Sequence, residues 1–75
     1  MSAILGPVPT VTVNGKPTEL AAAGATLADV VALMGLEGKR IAIEVNGEVV
    51  PRSRYASTPV VHGDRLEIVG AVGGG

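Results

Sequence analysis

Asn-Gly occurs twice in this chain, at Asn14-Gly15 and Asn46-Gly47, and each pair stands between short runs of strand-like residues. Both residue types tolerate positive φ, which the two-residue turn of an antiparallel hairpin requires. Before the first turn, Val11 and Val13 alternate with Thr10 and Thr12, the period of a half-buried strand. After it, Lys16 to Leu20 reads as a return strand. Pro17 marks that strand as an edge, because proline has no N–H to give a neighbour. Around the second turn, Ile41, Ile43 and Val45 share one face, and Ala42 and Glu44 share the other. Pro51 stops the second arm.

Between the hairpins the pattern is helical. Thr26 is a good N-cap, and Asp29 sits where a capping-box acid reaches back to the Thr26 amide. Leu27, Val30, Val31 and Met34 recur at helical spacing and predict one apolar stripe. Gly35 is placed to end the helix in a left-handed conformation, with Leu36 folding back against the stripe. Further on, "RSRYAST" predicts a loop or short helical turn around Tyr55. "HGD" at 62–64 predicts a turn into a final strand, "RLEIVGAV". There Leu66, Ile68 and Val72 face one way, and Glu67, Val69 and Ala71 face the other.

The order is strand, strand, helix, strand, short strand, strand. One helix can cover one face of one sheet, which makes this an α+β chain of two layers. The last strand comes after a long excursion and has high alternating apolarity, so it belongs in the centre, beside the first. That is a β-grasp: a mixed sheet of four to five strands packed on one main helix. Residues 1–9 read as an extension or edge segment, 10–72 as the domain, and 73–75 as a flexible glycine tail.

Composition excludes more than it proposes. The 75 residues are 47% hydrophobic but include no Phe or Trp and one Tyr, so the core must be aliphatic. There is no Cys, hence no disulfide framework and no thiol nucleophile. Net charge is −1, without the basic footprint of a nucleic-acid binder. "MSAILGPVP" lacks the basic start and long apolar stretch of a signal peptide, and no run approaches a membrane span. The expectation is a cytoplasmic protein with no membrane partner. His62, the one histidine, reads as a turn residue tolerant of positive φ, and alone it makes a poor metal site. The acidic residues are scattered, "GLEGKR" lacks the Walker pattern, and no GxGxxG occurs, so no nucleotide site is expected here.

The end of the chain is different. Gly73, Gly74 and Gly75 come after the last strand and offer a core nothing. Chain without Cβ atoms can pass through a slot too narrow for any side chain. The Gly75 carbonyl would then be open to attack from either face. A carboxylate is ionised at pH 7 and is a poor electrophile, so such chemistry needs activation. Adenylyl transfer from ATP would supply a leaving group, and a sulfur nucleophile could displace AMP. The alternative is a plain linker end.

At this point four stretches, "VTVNGKP", "GATLADVVALMGL", "RIAIEVNGEVVPRSRY" and "HGDRLEIVGAVGGG", resemble the ThiS family of sulfur carriers in thiamine biosynthesis, in order and with compatible spacing from about Thr10 to Gly75. The family often has Trp where this chain has Tyr55. The resemblance implies a ubiquitin-like β-grasp that is a protein cosubstrate and not an enzyme. It implies that Gly75 is adenylated by an E1-like enzyme of the ThiF type. That partner would use ATP with Mg, and no cofactor would be bound by the carrier. It further implies a thiocarboxylate on Gly75, sulfur from a cysteine desulfurase or rhodanese-type donor, and delivery to a thiazole synthase of the ThiG type. Gly73 and Gly74 would be the thread. Rival readings are a carrier for molybdopterin, tRNA thiolation or cysteine synthesis, and a ubiquitin-like binding module.

Two further groups of residues admit two readings each. Val69, Ala71 and Ala42 are either ordinary exposed sheet surface or a patch that docks partners while the tail enters their active site. Arg52 and Arg54 are either solvated charge or groups that steer an acidic partner groove.

Overall fold

The computed structural model describes residues 8–20 and 22–70. Strands β1 (Thr10–Val13) and β2 (Lys16–Glu19) form the first hairpin, with Thr10 opposite Glu19 and Val13 opposite Lys16. Helix α1 (Leu27–Leu33) comes next. Strands β3 (Ile41–Val45) and β4 (Glu48–Val50) form the second hairpin. A 3-10 helix, η1 (Arg52–Ser57), leads towards β5 (Arg65–Gly70). Both hairpin turns take the expected conformation: φ is 52° at Asn14 and 51° at Asn46, and the glycine after each is also positive.

The sheet order is β2-β1-β5-β3-β4. β5 runs parallel to β1 and antiparallel to β3, so the sheet is mixed and the last strand is central. The expected β-grasp arrangement is present, with five strands and α1 across one face. Centrality agrees with the sequence pattern: Leu66 and Ile68 alternate with exposed neighbours, and both are buried. The core is aliphatic, as the composition requires. Val11, Leu27, Val30, Ile43 and Leu66 are its fully enclosed members, and Tyr55 on η1 is its one aromatic side chain among the described residues.

Local chemistry fixes α1 at both ends. The Thr26 N–H donates to Asp29 Oδ2 at 2.8 Å, and the Asp29 N–H donates to Thr26 Oγ1 at 3.3 Å, closing the capping box. At the other end Gly35 is at φ 72°. Its N–H donates to the Ala32 carbonyl, and the Leu36 N–H donates to the Val31 carbonyl. These two bonds define a Schellman turn.

Two expectations need correction. Met34 does not join the apolar stripe; it is 42% exposed. The helix closes at Leu33, Met34 is its C-cap, and the chain reverses at Gly35. Leu36, not Met34, therefore supplies the next apolar contact to the core. His62 does not take positive φ either. Gly63 does, at 90°, which leaves His62 in an ordinary conformation.

Candidate functional site: the root of the glycine tail

Gly73, Gly74, Gly75 and Ala71 lie outside the described residues. The structure does place the strand that leads to them. β5 is gripped along its length by side chains from both hairpin turns. The Asn14 N–H donates to the Leu66 carbonyl at 2.9 Å. Its carboxamide then continues the ladder: Nδ2 donates to the Ile68 carbonyl at 2.9 Å, and the Ile68 N–H donates to Oδ1 at 2.7 Å. One side chain thus stands in for a peptide group of a longer β1, because a carboxamide carries an acceptor and a donor side by side.

Asn46 does the matching task at the start of β5. The Arg65 N–H donates to Asn46 Oδ1 at 2.9 Å, and Asn46 Nδ2 donates to Asp64 Oδ1 at 2.9 Å. Asp64 Oδ2 in turn accepts from the Val61 N–H, which tightens the turn before the strand. His62 Nδ1 accepts from the Thr10 N–H at 3.1 Å and so anchors the start of β1. The sequence pattern identifies both asparagines as turn formers but does not reveal this second role. A signal is nonetheless present: each turn has Asn, where a glycine or an aspartate would satisfy φ but would lack the paired donor and acceptor.

Replacing Asn14 by Gly keeps the turn conformation and removes the clamp. It leaves the part-buried Ile68 N–H and carbonyl without partners. We expect a loss of about 1–2 kcal/mol of unfolding free energy in urea; an unchanged midpoint would contradict this role.

The face of the sheet away from α1 is open. Val69 is 58% exposed and stands directly opposite Ala42 in the β3–β5 register. In the next exposed row, Glu67 stands opposite Glu44, and Glu44 stands opposite the exposed Val49 of β4. Like charges directly opposite repel, but both carboxylates lie in water. Val69 and Ala42 share the open face as expected, and Val49 is an apolar member of this face that the sequence pattern did not single out. Arg52 and Arg54 do not join it. They are exposed on η1, which packs against α1 on the other side of the sheet.

A shallow hollow of about 560 Å³ opens between α1 and the segment before it, lined by Leu20, Gly24, Asp29, Leu33 and several alanines. No residue of β5 lines it. Among the described residues no His, Asp and Glu cluster could hold a metal ion, and no helix is long and apolar enough to cross a membrane.

Comparison with known proteins bears on this strand and its tail. The ThiS family model matches residues 11–75, which includes β5 and all three tail glycines. The sulfur carrier protein ThiS of Bacillus subtilis is 36% identical over 62 residues, covering 83% of this chain and 94% of that protein. A thiazole synthase of Paramagnetospirillum magneticum is 38% identical over 63 residues, covering 84% of this chain and 19% of the synthase. A thiazole synthase of Magnetococcus marinus is 36% identical over 62 residues, again over 19% of its length. The chain thus spans about a fifth of the length of the thiazole synthases it matches. The crystal structure of the thiamine biosynthesis protein ThiS from Geobacter metallireducens superposes with a TM-score of 0.76. It is 31% identical and covers 88% of this chain and 99% of that one. The chain belongs to the ThiS family.

Proposed function

We propose that this chain is a sulfur carrier of thiamine biosynthesis, a protein cosubstrate that partner enzymes act upon in the cytoplasm. The observation that carries the reading is the family match through Gly75, on a strand that two asparagine side chains hold in place. The Gly75 carboxylate attacks the α-phosphorus of ATP and expels pyrophosphate, giving an acyl adenylate. A persulfide on the donor then attacks the acyl carbon and expels AMP, and a second thiol cleaves the resulting acyl disulfide, which leaves a thiocarboxylate on Gly75 and a disulfide between the donor and that thiol. The catalytic groups, the ATP and its Mg belong to an E1-like adenylyltransferase. The sulfur comes from a cysteine desulfurase or rhodanese-type donor. Gly73 and Gly74 thread the partner's slot.

The similarity to thiazole synthases favours a thiazole synthase as acceptor over molybdopterin, tRNA or cysteine pathways. The test is reconstitution. Thiazole formation by the synthase should require this chain, ATP, the adenylating enzyme and the sulfur donor together. Formation at the same rate without the chain would overturn the reading.

Val69, Ala42 and Ala71 would hold the carrier against the adenylating enzyme, and Arg52 and Arg54 would act only at longer range, through steering that salt screens. Val69 is exposed and makes no core contact, so Val69→Asp should leave the unfolding free energy within about 0.5 kcal/mol of the parent. It should raise the KM for adenylation about tenfold, by placing a charge beside Glu67 on an apolar contact. Unchanged kinetics would remove this face from the docking surface.

A further inference from the structure

Charge is sorted along this molecule in a way that its net value of −1 conceals. β5 ends at Gly70, opposite Ile41, the first residue of β3. The residues around that point are basic. Lys39 and Arg40 immediately precede Ile41, and both are exposed. β4 ends at the same end of the sheet: Val50 stands opposite Ile43, and Arg52 opens η1 two residues later. A chain advances at most about 3.5 Å per residue, so the Arg52 backbone stays close to the start of β3. The Arg54 N–H donates to the Pro51 carbonyl at 2.9 Å, which folds Arg54 back towards the same place. Arg52 and Arg54 are exposed as well.

Four of the six Lys and Arg residues thus lie at the end of the sheet from which the tail departs. Of the seven acidic residues, only Glu37 lies in the same stretches. The opposite end, where β3 turns into β4 and β5 begins, is balanced: Lys16 and Arg65 are matched by Glu48 and Asp64. The α1 macrodipole does not account for the cluster, since the last turn of α1 carries no basic residue. Like charges gathered at one end repel one another and work against the compact state. Cations this close add their fields over a Debye length of about 8 Å.

We propose that Lys39, Arg40, Arg52 and Arg54 form a cationic collar at the root of the tail, and that this collar docks on a carboxylate-bearing rim around the slot of a thiazole synthase. The proposal rests on the carrier reading. Two observations choose the occupant. The tail continues from Gly70 beside the collar, so an enzyme that takes the tail into a slot brings the rim of that slot against these four residues. Thiazole synthases are enzymes that this chain resembles over part of their length. Charge complementarity then sets the chemistry of the rim: carboxylates, which arginine pairs in two-pronged fashion. The collar lies at the sheet end where α1 and η1 pack together, whereas Val69 lies on the open face, so the two contacts flank β5 and fix the carrier's rotation about its tail. A salt-screened contact also suits a carrier that must leave after delivery.

The test is calorimetric titration of the full chain into a thiazole synthase that has no segment similar to this chain. It needs neither ATP nor sulfur. Two double variants remove the same charge from opposite ends: Arg40→Gln with Arg52→Gln in the collar, and Lys16→Gln with Arg65→Gln far from it. At low salt the collar pair should raise Kd about fivefold, and the distant pair less than about twofold. At roughly half-molar salt the collar pair should fall within about twofold of the parent. The unfolding midpoint should hold in the collar pair, because both side chains are exposed. An unchanged Kd, an equal loss in both pairs, a loss that persists at high salt, or a parent that does not bind the synthase overturns the collar. None of these touches the carrier reading, which fails only if Gly75 of the parent gains no sulfur.

Discussion

A chain extended by one leucine beyond Gly75 is expected to form thiocarboxylate at least about a hundredfold more slowly than the parent. The reason is geometric. Adenylation needs a carboxylate oxygen in line with the α-phosphorus, and misplacement of a reacting group by about 1 Å already costs two orders of magnitude. One added residue moves the carboxylate by roughly 3.5 Å, and it converts the Gly75 carbonyl into an ordinary amide. The leucine side chain must also enter a slot that the glycines imply is too narrow for it. Folding should be untouched, because the described core uses nothing beyond Ile68. The contrary result is thiocarboxylate on the extended chain at the parental rate with no trimming back to Gly75.

Leu66→Ala is expected to have the largest effect on the fold. Leu66 is fully buried on the central strand, opposite Val13 on one side and Val45 on the other. Truncation there should cost about 2–5 kcal/mol, from lost burial plus the cavity left behind. A domain of this size holds roughly 4–11 kcal/mol in total, so the variant should be partly unfolded at body temperature. Urea unfolding should show a much lower midpoint with an unchanged slope. A loss under about 1 kcal/mol would mean that β5 is not the keystone of the sheet. Comparison with Asn14→Gly separates the two ways in which this strand is held: burial for Leu66, and main-chain bonding for Ile68.

Much of this is legible in the residues. The Asn-Gly pairs locate both hairpins because their φ requirement is local. Thr26, Asp29 and Gly35 bound α1 because caps act within one turn. Strand parity sorts Leu66 and Ile68 from Glu67 and Val69. Met34 misleads because spacing alone extends a stripe past the residue where the Schellman turn reverses the chain. The clamps of Asn14 and Asn46 on β5 escape a sequence reading because they join residues up to 54 positions apart, a distance that a periodicity cannot reach. Arg52 and Arg54 follow the second hairpin in sequence, but η1 carries them to the α1 side, away from Val69 and Ala42. Their grouping with Lys39 and Arg40 emerges only from knowing that β3 begins where β5 ends.

The central claim concerns one atom, an oxygen of the Gly75 carboxylate that gives way to sulfur. Intact mass before and after incubation with ATP, Mg, the adenylating enzyme and a sulfur donor reads it directly. The account predicts a gain of roughly 16 Da, one sulfur in place of one oxygen, localised to the C-terminal peptide and dependent on ATP. An unchanged mass, with the partner enzyme shown to be active on another carrier, would contradict it.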